Sequence, residues 1–196
     1  MELTKRITNQ FEESGHLMVE LADLLAAPIL RSAELIVEGL LNEKKVLTCG
    51  NGGSAATAQY FASRMLNQFQ VERPSLAAIS LACDTSTLTA IANHDNFDQF
   101  FSKQITALGQ AGDVLLAIST SGNSKNILRA ITAAKERHMH VIALSGGDGG
   151  KMVELLQEDD IHIGIPHDNP ARVLEIYTLI MHCLCDSIDC LLLGVH

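Results

Sequence analysis

The 196-residue sequence predicts an α/β fold: a five-stranded parallel sheet, doubly wound into a three-layer sandwich, with an N-terminal helical arm. Three observations carry that prediction. Short, mainly apolar runs recur at 46–49, 76–81, 113–118, 140–144 and 161–165. Segments with helical spacing lie between them, supplying the crossovers that parallel strands buried on both faces require. Glycine- and serine-rich loops leave the carboxyl ends of the first, third and fourth runs, where ligands of such sheets collect.

Residues 2–42 read as helix throughout. Leu17, Leu21, Ala22, Leu24 and Leu25 recur at helical spacing, and Ile29, Ala33, Ile36, Val37 and Leu40 continue the pattern after Pro28. A proline inside a helix removes a hydrogen bond and crowds the preceding turn, so two helices meeting at Ala26 and Ala27 are expected. Residues 1–43 would then be an arm whose apolar face is free to bury against a second subunit, and 44–196 the α/β domain. The strand 46–49 runs into Gly50-Asn51-Gly52-Gly53, and Ser54 opens a helix through Ala55, Ala58, Phe61, Ala62 and Met65. A second strand at 76–81 precedes a helical stretch over 85–108 that Asn93-His94-Asp95-Asn96 interrupts. The strand 113–118 leads through a serine-rich loop to a helix over 125–137. The strand 140–144 ends in Ser145-Gly146-Gly147-Asp148-Gly149-Gly150, with a short helix reaching Leu156. The strand 161–165, a loop over 166–170 and one long helix over 171–193 complete the chain.

Composition narrows the function classes. With 47% hydrophobic and 19% charged residues, the chain has material for a large core and is not a disordered segment. Aromatics are only 4% and tryptophan is absent, so that core is aliphatic. A net charge of −9 argues against a general nucleic-acid or anionic-membrane surface. The N-terminal residues lack the basic-then-apolar pattern of a secretory signal. No uninterrupted apolar run approaches the roughly 18 residues of a membrane span. Five cysteines without a Cys-x-x-Cys pair read as buried, reduced thiols, and a cytoplasmic location is expected.

Two loops have the makings of an anion site. A strand, a glycine turn and a helix N-terminus in succession leave unpaired N–H groups and a favourable dipole at 50–54. The loop lacks the Lys-Ser/Thr of a P-loop, and Ala55 occupies the last glycine position of a G-x-G-x-x-G motif. A tight turn that binds nothing would use the same glycines. Ser119-Thr120-Ser121-Gly122-Asn123-Ser124 is more informative, because it gathers hydroxyls at a free helix N-terminus directly after a buried strand. That suits a phosphomonoester held by hydroxyl and backbone donors. An N-capping role for Ser124 is compatible with it.

Cys49 to Ser54, Glu72-Arg73-Pro74 and Gly112 to Ser124 together resemble the sugar isomerase (SIS) domain. More narrowly, they resemble the sedoheptulose-7-phosphate isomerase (phosphoheptose isomerase) family and its relative, the DnaA initiator-associating protein DiaA. The likeness spans essentially the whole chain, including Arg172-Val173-Leu174-Glu175. It implies a homotetramer held together by the N-terminal helices. It also implies a phosphosugar on Ser119, Thr120, Ser121 and Ser124, with Asn51, Gly52 and Ser54 at sugar-contacting positions. For the isomerases it implies a glutamate base, a histidine acid and a zinc cluster. Carried over, these place a histidine at Tyr60, a glutamate at Arg64, a glutamine at Leu174 and a histidine at His182, of which only His182 is present. An arginine is usual where Gln68 stands, and an Asn-Asp pair where Asn93-His94 stands.

Arg64 neither accepts a proton nor ligates a cation, and Leu174 has no donor atom. His94, Asp95 or Glu175 are the available substitutes for the base. His182 on an apolar helix is, taken alone, more often a satisfied core residue than a catalyst. The expectation is therefore a pocket without zinc or other cofactor, and a non-catalytic, DiaA-like phosphosugar binder that contacts DnaA and no nucleic acid. The alternative is an isomerase that converts sedoheptulose 7-phosphate to a heptose 7-phosphate for lipopolysaccharide core synthesis. Leu191, Leu192 and Leu193 could offer a partner an apolar patch or simply end the core helix.

Overall fold

The computed structural model describes residues 2–94 and 96–194. Their strands β1 (Val46–Gly50), β2 (Ala78–Ser80), β3 (Val114–Ser119), β4 (His140–Gly146) and β5 (Ile161–Ile165) form one parallel sheet in the order β2-β1-β3-β4-β5. The helices are α1 (Leu3–Leu41), α2 (Gly53–Leu66), α3 (Thr85–His94), α4 (Phe100–Leu108), α5 (Lys125–Glu136), α6 (Gly150–Glu154) and α7 (Pro170–Leu193). The predicted fold class holds. The break after Asn93 is real: a 3-10 turn at Phe97–Gln99 separates α3 from α4.

Alternation along the strands explains why they read as continuous apolar runs. Successive side chains point to opposite faces of the sheet. Val46, Val114, Leu116 and Ile118 pack with α1, α2 and α7, whereas Leu47, Cys49, Leu115 and Ala117 pack with α4, α5 and α6. Both faces are covered, so β3 is apolar from Val114 to Ile118 and turns polar only at Ser119, where it reaches the loop. The second strand is the shortest, three residues at the sheet edge rather than the six expected.

The expected break at Pro28 is corrected. α1 is a single 39-residue helix, about 58 Å long, with Pro28 inside it. Pro28 denies a donor to the Leu24 carbonyl, and Leu24 lies on the exposed face where water can replace it. Leu25, Ile29 and Ala33 remain buried on either side and hold the helix in line. Nor is all of α1 free of its own sheet, since Ile29, Ala33, Ile36 and Val37 share a core with Val46 and Ile163.

By length and composition α7 could cross a membrane. It is instead the core helix of this fold, burying Val173, Ile176, Tyr177, Ile180, Leu184 and Ile188. Its last turn exposes Leu191 and Leu193, while Leu192 packs against the core. All five cysteines are free, and burial pushes the Cys49 and Cys185 thiols up to about 12.

Candidate functional site

Strand order locates the site. The order reverses between β1 and β3, and their carboxyl ends open side by side at that crevice, with Gly50 opposite Ile118. The two loops singled out in the sequence therefore meet. Asn51 and Asn126 exchange two amide hydrogen bonds of 2.8 Å, each donating to the other's Oδ1. Asn126 was not visible as a site residue from sequence; its signal is a buried amide on an otherwise apolar helix face, beside Ile127 and Ala130. Gly52 adopts φ +53° at the N-cap of α2, and Ser54 is buried in the first turn with its N–H donating to Asn51 O.

The Ser119–Ser124 loop is held from three sides. Ser119 Oγ donates to Ser124 Oγ at 3.2 Å, and the Asn123 N–H donates to Ser121 Oγ. The Gly146 N–H donates to Thr120 O, which ties the β4 loop to the same place. Gly122 has φ +62°, and a Cβ there would lie 1.9 Å from Gly149 O, so no side chain fits. Ser124 occupies the N-cap position of α5 without capping it, which leaves its hydroxyl facing Ser119. Thr120 and Ser121 open onto a cleft of about 370 Å³ that Gly147, Asp148, His167 and Asp168 also line. Behind the loop, Ser145 Oγ and His162 Nε2 lie 2.7 Å apart, and burial holds the His162 imidazole below the ordinary histidine range.

A second pocket, of about 550 Å³, lies between α2 and α7. Its walls are Gly53, Ala56, Thr57, Tyr60, Leu174, Thr178 and His182. Tyr60 Oη and His182 Nε2 are 2.9 Å apart. Phe69 stacks on the His182 ring at 5.5 Å, and the Arg64 guanidinium sits 4.9 Å from the centroid of the Tyr60 ring. His182 is thus half-buried in the wall of an open pocket rather than deep in the core, with its Nε2 paired to Tyr60 Oη. Leu174 covers the start of α2: a Cβ on Gly53 would come within 2.7 Å of Leu174 Cδ1.

Of the substitute bases, Glu175 and His94 do not line this pocket. Glu175 is engaged by Arg172 Nη2 at 2.8 Å and by Ser14 Oγ at 2.5 Å, two turns of α7 away from His182. His94 is exposed at the end of α3, and Asp95 lies outside the described residues. Zinc takes four nitrogen, sulfur or carboxylate donors. Tyr60, Arg64, Leu174 and His182 offer one imidazole, a phenol bonded to it, a permanent cation and a hydrocarbon. No cluster of three or more His, Cys, Asp or Glu residues is placed to hold a metal among the described residues. This donor set does not fit zinc.

The SIS domain family pattern matches residues 10–146. A phosphoheptose isomerase of Aromatoleum aromaticum is 57% identical over 100% of this chain and 99% of its own. One from Coxiella burnetii is 55% identical over 96% of this chain and 95% of its own. Among solved structures, the phosphoheptose isomerase of Neisseria gonorrhoeae superposes with a TM-score of 0.90 at 49% identity, covering 96% of this chain and 99% of that one. That of Francisella tularensis gives 0.93 at 46%, with the same coverage. The match to the Aromatoleum relative takes in the whole sheet and both pockets, and the chain belongs to the phosphoheptose isomerase family of SIS-domain proteins.

Proposed function

We propose that this chain is a cytoplasmic aldose–ketose isomerase of sugar phosphates, acting on a substrate of the sedoheptulose 7-phosphate class. The observation that carries the reading is the Tyr60–His182 pair, 2.9 Å apart in an open pocket beside the N-terminus of α2. Full-length relatives bearing the isomerase name support it over the non-catalytic regulator. The phosphate would be held by the hydroxyls of Ser119, Thr120, Ser121 and Ser124 and by the N-terminus of α5. His182, as the neutral imidazole, would take a proton from C1 of the ketose and return it to C2.

The same reading makes the chain a homotetramer. Leu3, Ile7 and Phe11 lie exposed along one stripe of α1. An apolar groove of about 320 Å³ runs between α1 and α7, lined by Leu21, Leu25, Ile29, Ile176 and Ile180. Apolar helix faces of that extent are what subunit contacts bury.

A second reading, a phosphosugar-binding regulator that contacts DnaA, is favoured by one feature: no carboxylate lines the α2–α7 pocket among the described residues. Incubation of purified protein with sedoheptulose 7-phosphate separates the two. The isomerase reading expects turnover that His182→Ala abolishes and a double change of Ser119 and Ser121 to alanine weakens through KM. Saturable binding without turnover would refute it and leave the regulator, to be tested by capture of DnaA.

A further inference from the structure

We propose that Tyr60 is a second catalytic residue of this pocket, that Arg64 positions it, and that the proton transfer needs no divalent cation. The proposal rests on the isomerase reading and assigns chemistry which that reading leaves open. Moving hydrogen between C1 and C2 requires two exchanges: one at carbon, and one at oxygen, where the carbonyl must gain a proton and the neighbouring hydroxyl must lose one. A single imidazole cannot attend to both at once. Of the side chains lining the pocket, Tyr60 and His182 are the titratable ones, and a phenol is a far better proton donor than the hydroxyls of Thr57 and Thr178.

The geometry fixes both groups. Tyr60 and Arg64 are one turn apart on α2, which places the guanidinium over the phenol ring at 4.9 Å. The Arg64 backbone carbonyl accepts from Arg73 Nη2 at 2.9 Å, which holds this turn of α2, while the guanidinium Nε is buried with no hydrogen-bond partner. On the far side, Phe69 stacks on His182 with an interplanar angle of 27°, and the Tyr60 and His182 rings meet edge-on at 67°. The phenol oxygen and the imidazole nitrogen therefore converge on one point of the cavity, with the Arg64 charge behind them. Arg64 does not itself line the pocket, and acts through the Tyr60 ring that it covers.

The steps balance. His182 takes a proton from C1 while the Tyr60 hydroxyl gives its proton to the C2 carbonyl oxygen, and the product is the 1,2-enediol. Tyr60, now a phenolate, takes the proton of the C1 hydroxyl as the carbonyl forms there. The imidazolium returns its proton to C2. Both side chains end in their starting states, and no oxidant, reductant or further reactant is consumed.

The test measures steady-state turnover of sedoheptulose 7-phosphate by the full-length protein, with chelator and with added zinc, for wild type, Tyr60→Phe, Arg64→Lys and Arg64→Met. Expected are wild-type rates indifferent to chelator and zinc. Tyr60→Phe should lower kcat about 100-fold with KM nearly unchanged. Arg64→Met should lower kcat about tenfold, and Arg64→Lys should restore most of it. Saturable sugar-phosphate binding by each variant checks that the pocket is intact. Wild-type rates in Tyr60→Phe, or activity lost to chelator and recovered with zinc, would overturn the proposal while leaving the isomerase reading in place. Absence of turnover in the wild type would overturn that reading, and this proposal with it.

Discussion

Replacement of Arg73 by methionine should be among the most destabilising single changes in this chain. Arg73 Nε and Asp189 Oδ1 are 2.5 Å apart, with side chains only 1% and 4% exposed. Its Nη atoms donate to the Arg64, Met65 and Pro74 carbonyls and so close the last turn of α2. Methionine fills much of the volume but leaves the Asp189 carboxylate buried, and its Oδ2 has no partner even in the native protein. Removing one member of a buried pair costs about 3–5 kcal/mol. The freed carbonyls add less than their separate values, because the bond to Pro74 O is at the surface. At a slope of about 2 kcal/mol per molar urea, a loss of about 4 kcal/mol moves the unfolding midpoint by about 2 M. Fixed protein concentration keeps any contribution from assembly constant. The double change of Arg73 to methionine and Asp189 to leucine should recover most of the loss, since it removes the stranded charge. A midpoint shift below about 0.5 M for the single variant, or a double variant as unstable as the single, would refute this account. Phe69 rides on the segment that Arg73 secures, so turnover should fall with stability through loss of the stack on His182.

Three further outcomes follow from groups elsewhere in the fold. Tyr177→Phe should raise stability by about 1 kcal/mol, about 3 °C in Tm, because the Tyr177 hydroxyl is buried without a partner. Gly122→Ala should cost about 2 kcal/mol or more and abolish saturable phosphosugar binding while circular dichroism stays native, since its Cβ meets Gly149 O at 1.9 Å. The wild type should lose stability as pH falls through 6.5, because the unfolded chain takes a proton there that desolvated His162 refuses. At higher pH both states are neutral at this residue and its effect vanishes; urea midpoints of His162→Gln should show a flatter acid limb, and an unchanged one would exclude this source.

Five strands, the helices between them and the positions of the glycine- and serine-rich loops were legible because their signals are local. Apolar runs, helical spacing and the chemistry of Gly52 or Ser119 depend only on neighbours in the chain. Local rules also misled. Pro28 predicts a break by itself, and only the packing of Leu25, Ile29 and Ala33 on either side keeps α1 continuous. Strand order, the reciprocal Asn51–Asn126 bonds, the Tyr60–His182 pair across 122 residues and the Arg73–Asp189 clasp across 116 belong to the tertiary structure alone. Their energies depend on distance in space, and sequence spacing carries no record of which distant side chains the crossovers bring together.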